Sequence, residues 1–191
     1  MLRCKEYIKN GDAFQIVYAQ KFSATYDQSL FSAYRYLRTT NPSQYMVFMH
    51  NDDMEIAGSS PETLVKVVGK RVISMPIAGT RRRGRTSEED LALEQELLAD
   101  AKEIAEHNML VDLGRNDVGR VCDFGSVKVS DYKAIKRFSH VIHITSKVTG
   151  QLSADKDALD ALRAVFPAGP LSGAPKIRAC ESIDALAPER R

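Results

Sequence analysis

Val72-Ile-Ser-Met-Pro-Ile-Ala-Gly-Thr-Arg-Arg-Arg-Gly-Arg-Thr-Ser-Glu-Glu-Asp90 is the stretch on which the fold turns. Up to Met75 the apolar residues follow the short, β-branched pattern of strands. After the arginine-rich loop Gly79 to Arg85 the period becomes helical. Ser87 with Asp90 three residues later reads as a capping box. Leu91, Leu97, Leu98, Ala101, Ile104 and Ala105 then carry one helical stripe to about Val111. A strand run that hands over to a long helix without βαβ alternation predicts an α+β domain.

Working outward from this junction, the preceding residues read as a meander of mainly antiparallel strands: Tyr45 to Met49, Met54 to Ala57, Leu64 to Val68 and Val72 to Met75. Before them stand a helix over Leu2 to Lys9 closed by Asn10-Gly11, a strand over Phe14 to Phe22, and a helix over Leu30 to Leu37. Beyond the long helix, Val127 to Val129 and His140 to Val148 read as strands, and Asp157 to Val165 and Pro175 to Leu186 as helices. The last of these carries proline in its first turn, where a missing N–H costs nothing. The reading is therefore antiparallel sheets packed with helices.

Composition narrows the function classes. With 27 basic and 25 acidic residues in 191, the chain has no field strong enough to imply nucleic acid or an anionic membrane surface. Cys4, Cys122 and Cys180 are odd in number and far apart, which argues against a disulfide framework or a zinc site and suits a reducing cytoplasm. No apolar run is long enough to span a bilayer.

Three segments carry the chemistry. In Lys102-Glu-Ile-Ala-Glu-His107, Glu103 and Glu106 fall on one helical face, with His107 one turn on from Glu103. Paired carboxylates on a rigid element are what Mg2+ needs; the plainer alternative is a solvated helix face with surface ion pairs. Zinc hydrolase chemistry is disfavoured because position 103 of the would-be H-x-x-E-H pattern is glutamate. Pro167-Ala-Gly-Pro-Leu-Ser-Gly-Ala-Pro-Lys176 runs into a helix, so its backbone N–H groups could meet an anion, or it is simply a turn. His140 and His143 on a strand point to opposite faces, so at most one enters a given cleft. Arg81-Arg-Arg-Gly-Arg85 reads as a solvated loop that helps steer an anionic substrate.

Taken in order, Gly11-Asp-Ala-Phe-Gln-Ile-Val17, Asn41-Pro-Ser-Gln-Tyr-Met46, Ser60-Pro-Glu62, Pro76-Ile-Ala-Gly-Thr80, Ala105-Glu-His-Asn-Met-Leu-Val-Asp-Leu-Gly-Arg-Asn-Asp117, Ser139-His-Val-Ile-His143 and Ser172-Gly-Ala-Pro-Lys-Ile-Arg178 resemble the chorismate-utilising enzymes. The resemblance covers nearly the whole chain. It points to the aminating branch, because Gln15 stands where isochorismate and salicylate synthases carry a water-activating lysine. Ala78 replaces the lysine typical of aminodeoxychorismate synthases, which favours the anthranilate synthase component I type. Aminodeoxychorismate formation and a non-catalytic ligand-binding module are the alternatives.

The resemblance implies a lyase that converts chorismate and ammonia to anthranilate and pyruvate, with ammonia from a glutamine amidotransferase partner. It further implies Glu106 as a Mg2+ ligand supported by Glu103, Glu62 as the acid for the departing hydroxyl, and His143 in pyruvate elimination. Gly79, Thr80, Gly169 and Lys176 would contact the substrate. Pro170 stands where the family has threonine, so weaker substrate binding or a shifted loop is expected, and Gln44 departs from the proline of a segment tied to tryptophan feedback. Residues 1–191 are expected to form part of the chorismate-binding domain, lacking the family's N-terminal part and C-terminal segment. By itself the chain is expected to be nearly inactive and prone to self-association.

Overall fold

The computed structural model describes residues 1–138 and 140–187. In chain order the elements are α1 (Leu2–Lys9), β1 (Gln15–Ile16), α2 (Leu30–Thr40), β2 (Tyr45–Asn51), β3 (Met54–Ser60), β4 (Lys66–Val68), β5 (Arg71–Ser74) and β6 (Ile77–Arg82). There follow α3 (Ser87–Ala99), α4 (Ala101–Gly119), β7 (Lys128–Arg137), β8 (Val141–Gln151), α5 (Ala158–Val165), α6 (Gly169–Ser172), β9 (Gly173–Ala174) and α7 (Lys176–Leu186). All strand pairings are antiparallel, and with the helices they make the α+β fold that the sequence predicts.

The chain divides into two compact units, one made from the described residues of Met1–Ala19 and Leu64–Arg191, the other Gln20–Thr63. In the larger unit β8 is the central strand. One edge pairs with β7; along the other edge its first half pairs with β6 and its second half with β5, which carries β4 outside it. Alternation along β8 turns Ile142, Ile144, Ser146, Val148 and Gly150 to one buried face. Two apolar clusters cover that face. Leu97 packs with Ile142 and Ile144, backed by Ile104; Val111 and Val118 of α4 pack with Val72, Val148, Leu152 and Ala161.

The junction differs from the sequence reading in three ways. The Gly79–Arg85 loop is largely strand, because residues through Arg82 pair with β8, with a bulge between Ala78 and Thr80 where Gly79 takes φ +69°. The N-cap is Thr86, whose hydroxyl accepts from Glu89 N–H at 3.2 Å. Asp90 is thereby free to be buried, accepting from Arg83 Nε at 3.0 Å. The long helix is two helices. Asp100 leaves helical geometry at ψ 105°, and its carboxylate caps α4 by accepting from Lys102 and Glu103 N–H. Arg81 Nη2 donates to the same carboxylate at 3.0 Å, so the break is tied to the edge strand.

Elsewhere, the strand expected over Phe14 to Phe22 shrinks to Gln15–Ile16, since only Gly173–Ala174 is available to pair with it. In contrast β7 is longer than Val127 to Val129, because it crosses a second bulge at Ser130–Ala134. That bulge holds Asp131 and Lys133 at φ +50° and +57°. His140 lies just before β8 rather than on it, and Ser139, within a quoted motif, is outside the described residues. In the smaller unit α2 packs on the β2–β3 hairpin through Phe31, Tyr34 and Phe48.

Candidate functional site

Glu103 and Glu106 lie in the first two turns of α4, which Asp100 and Arg81 fix at its N-terminal end. Both are half-buried. A Cβ built on Gly79 would sit 3.3 Å from Glu103 Oε2, 2.9 Å from Leu97 Cδ1 and 3.3 Å from Ile144 Cδ1. The glycine is therefore required twice, by its left-handed φ and by the carboxylate that occupies the side-chain space. No hydrogen-bond partner meets the Glu103 carboxylate among the described residues.

Gly79 also reaches His143. The imidazole Nδ1 lies 2.9 Å from Gly79 O and 3.1 Å from Thr80 Oγ1. A carbonyl can only accept, so in neutral His143 the proton is on Nδ1 and the Nε2 lone pair is open. Edge strand β6 thus brings Gly79, Thr80, Glu103 and His143 together within one residue's reach. Gly79 is the residue common to both: the space at its Cα meets the Glu103 carboxylate, and its carbonyl meets His143.

Glu106, one turn further along α4, meets a different segment. Gln15 Nε2 donates to its Oε1 at 3.2 Å. Gln15 pairs with Ala174, and flanking bonds from Phe14 N–H to Ala174 O and from Val17 N–H to Ser172 O complete a miniature ladder. The ladder demands glycine at 173, where φ is +137° and a Cβ would fall 2.2 Å from Gln15 O. Gln15 Oε1 is buried and has no partner among the described residues. The Ser172–Lys176 turn is therefore brought to Glu106, but part of its backbone pairs with β1 instead of being free for an anion.

Lys176, expected to contact substrate, is held by protein groups in the structure. Its Nζ donates to Asp117 Oδ1 and Oδ2 at 2.8 Å each and to Val165 O at 2.7 Å, which uses all three protons in a largely buried setting. Burial pushes the Asp117 carboxyl up, and the ammonium only partly offsets this. Gly169 is buried against α4: a Cβ there would meet Leu113 Cδ2 at 2.8 Å. Arg81 is no solvated steering group either, since Nε donates to Glu96 at 2.8 Å in addition to the Asp100 contact. Glu62 belongs to the smaller unit, where burial raises its carboxyl pKa above the ordinary value.

The sequence places His107 one turn on from Glu103 but gives it no role; in the structure it is fully buried, with Nε2 2.6 Å from Ser146 Oγ. Burial first, and Lys133 second, bring its pKa down to about 4, so it is neutral at physiological pH. The available signal was its i+4 spacing from Glu103 on the inward face of α4. A shallow groove of about 410 Å³ lined by Arg115, Arg120, Cys122 and Phe124 includes none of the candidate residues. Among the described residues no three His, Cys, Asp or Glu side chains form a metal-binding group, and no helix is long and apolar enough to cross a membrane. Two carboxylates on one helical face, one without a partner among the described residues, fit a hard cation that takes its remaining oxygens from substrate or water.

Comparison with known proteins agrees with this architecture. Anthranilate synthase component 1 of Pseudomonas aeruginosa is 57% identical over 189 residues, covering 99% of this chain and 38% of the relative. The Acetivibrio thermocellus protein of the same name is 53% identical over 191 residues, covering 39% of its length. The chain thus spans well under half of these relatives. The crystal structure of anthranilate synthase component I from Streptococcus pneumoniae superposes with a TM-score of 0.87 at 48% identity, covering 99% of this chain and 41% of that one. A 2,3-dihydroxybenzoate-specific isochorismate synthase from Bacillus anthracis gives 0.76 at 28% identity, covering 99% and 52%. A family model described as chorismate binding enzyme matches residues 1–191, and the chain belongs to that family.

Proposed function

We propose that this chain supplies part of the chorismate site of an anthranilate synthase component I, which turns chorismate and ammonia into anthranilate, pyruvate and water. The observation that carries the reading is that Gly79 meets, at its Cα, the Glu103 carboxylate, which has no partner among the described residues, and, at its carbonyl, a histidine with an open Nε2. Relatives named for this activity are more than half identical over nearly the whole chain.

In this reading Glu106 and Glu103 would hold Mg2+, which would supply Lewis-acid polarisation and charge neutralisation. Glu62, whose pKa burial raises, would be the acid for the C4 hydroxyl, which leaves as water when ammonia adds at C2. His143 Nε2 then takes the C2 proton as the enolpyruvyl group departs as pyruvate and the ring becomes aromatic. Thr80 and the Gly79 carbonyl hold the imidazole in that tautomer. Lys176 acts indirectly, by fixing Asp117 on α4.

Ala78 has no nucleophile for covalent attack on the ring, so the anthranilate product is favoured over aminodeoxychorismate. The ammonia source is a glutamine amidotransferase subunit. Three free cysteines, two of them buried, suit a reducing compartment such as the cytoplasm.

The test is anthranilate fluorescence from chorismate, ammonium and Mg2+, using the longest polypeptide encoded around this segment. Anthranilate should form and should be lost with Glu106→Gln. A product with the mass of aminodeoxychorismate, or Mg2+-independent turnover, overturns the assignment.

A further inference from the structure

The inner face of α4 carries one polar break. Ile104 above it belongs to the Leu97–Ile142–Ile144 cluster and Val111 below it to the Val72–Val118–Val148 cluster, and His107 stands between them. Opposite, Ser146 interrupts β8 between Ile144 and Val148 in the same way. The two meet at 2.6 Å across 39 residues of chain. Both are almost completely buried, so this hydrogen bond lies at the seam between two apolar clusters.

Its geometry is over-determined from the other side. Ser146 Oγ also accepts from Lys133 N–H at 3.0 Å, inside the β7 bulge where Asp131 and Lys133 are held left-handed. Tyr132 from the same bulge donates its hydroxyl to Asn108 Oδ1 at 2.6 Å, the residue after His107. Non-glycine residues persist in that conformation only where the surroundings impose it. The hydroxyl that accepts from Lys133 can donate to Nε2, which fixes where the imidazole must lie.

We infer that His107 is a positioning residue: through Ser146 it sets the rotation of α4 about its own axis and so the aim of Glu103 and Glu106. Apolar contacts are non-directional and tolerate small slips, whereas a buried hydrogen bond is satisfied at one register. A slip of one residue turns the helix by about 100°, enough to carry Glu103 away from Gly79. Glu103 and His107 are four residues apart on one face, so locking one locks the other. His107 Nδ1 has no partner among the described residues, so the contact rests on Nε2 alone.

The inference rests on the proposed Mg2+ role of those glutamates, and reach separates it from simple packing. A glutamine amide can occupy the Nε2 position, whereas an asparagine amide stops near Nδ1. In the full-length protein His107→Gln should keep the Mg2+ concentration for half-activation within about threefold. His107→Asn and Ser146→Ala should each raise it about tenfold or more, as loss of groups supporting metal ligands does, and the double variant should cost no more than the larger single one. Crystal structures of the same variants give a readout independent of turnover: His107→Asn should move Glu103 off Gly79 and His107→Gln should not.

Unchanged Mg2+ half-saturation with Glu103 still against Gly79 in a folded His107→Asn or Ser146→Ala protein overturns the inference. If instead the parent protein makes no anthranilate while His107→Asn still displaces Glu103, the proposed function fails and the positioning role stands.

Discussion

Gly79→Ala is the substitution for which the structure gives the most definite arithmetic. The new methyl carries two costs. Holding alanine at φ +69° costs about 1–2 kcal/mol, the usual penalty for an L-residue in the left-handed region. Its Cβ would also lie 2.9 Å from Leu97 Cδ1 and 3.3 Å from Ile144 Cδ1. Leu97 is fully buried and cannot swing into solvent, so overpacking adds about 1–2 kcal/mol. The sum, about 2–4 kcal/mol, is a large share of the stability of a domain this size. Gly11→Ala is the matched control, since φ there is +81° and nothing lies within 4 Å of the added Cβ. It should show the conformational penalty alone. Urea unfolding of the two variants beside wild type measures the difference. Equal midpoints for Gly79→Ala and Gly11→Ala refute the claim that Gly79 is packed against Leu97 and Glu103. The third contact, 3.3 Å from Glu103 Oε2, has a separate readout, because a carboxylate pushed aside should raise the Mg2+ requirement of the full-length enzyme.

Lys176→Met leaves Asp117 buried without its cation and should cost about 3–5 kcal/mol near pH 7 in urea unfolding. Burial already raises the Asp117 pKa and loss of the ammonium raises it further, so the loss should shrink as pH falls through that raised value, before the ordinary carboxylate range is reached. Because burial raises the Glu62 pKa, the folded state holds that proton more tightly than the unfolded chain. The stability Glu62 contributes is therefore complete below its ordinary pKa and is lost as pH rises through the raised value. Glu62→Gln should abolish this part of the slope, which begins at the ordinary carboxylate pKa and ends above it, while eliminating turnover; unchanged slopes count against the assignment. Thr80→Val keeps shape but removes one of two partners of His143 Nδ1; it should cost no more than about 1 kcal/mol of stability while lowering kcat with little change in KM, and an unaffected kcat removes Thr80 from the site.

Legibility in the sequence followed the range of the forces involved. The short strands, the helices at Leu2–Lys9, Leu30–Thr40 and Ala158–Val165, and the α+β class all come from local periodicity and capping, which a chain displays without folding. The expected meander does not form: β2 and β3 make their own sheet, and β5 and β6 each pair with β8, because pairing is decided by long-range partners. Boundaries set by long-range partners were not visible. The break at Asp100 depends on Arg81 nineteen residues away, and the extent of β6 depends on β8. Phe14 to Phe22 has strand composition but meets only two residues to pair with. The same division runs through the site. The quoted motifs carried the family resemblance, and helical spacing put Glu103 and Glu106 on one face. That Lys176 is consumed by Asp117, and that Gln15 answers Glu106 across 91 residues, could not be read from any spacing.

By itself, then, the sequence determined which segments can be helix or strand and which residue types the chemistry has available, because both are properties of neighbouring side chains and backbone. The tertiary structure decided which donors each acceptor obtains. Gly79 matters because Glu103 and His143 approach it from distant segments, and His107 is neutral because the sheet buries it. Proximity and desolvation exist only after the chain has closed on itself.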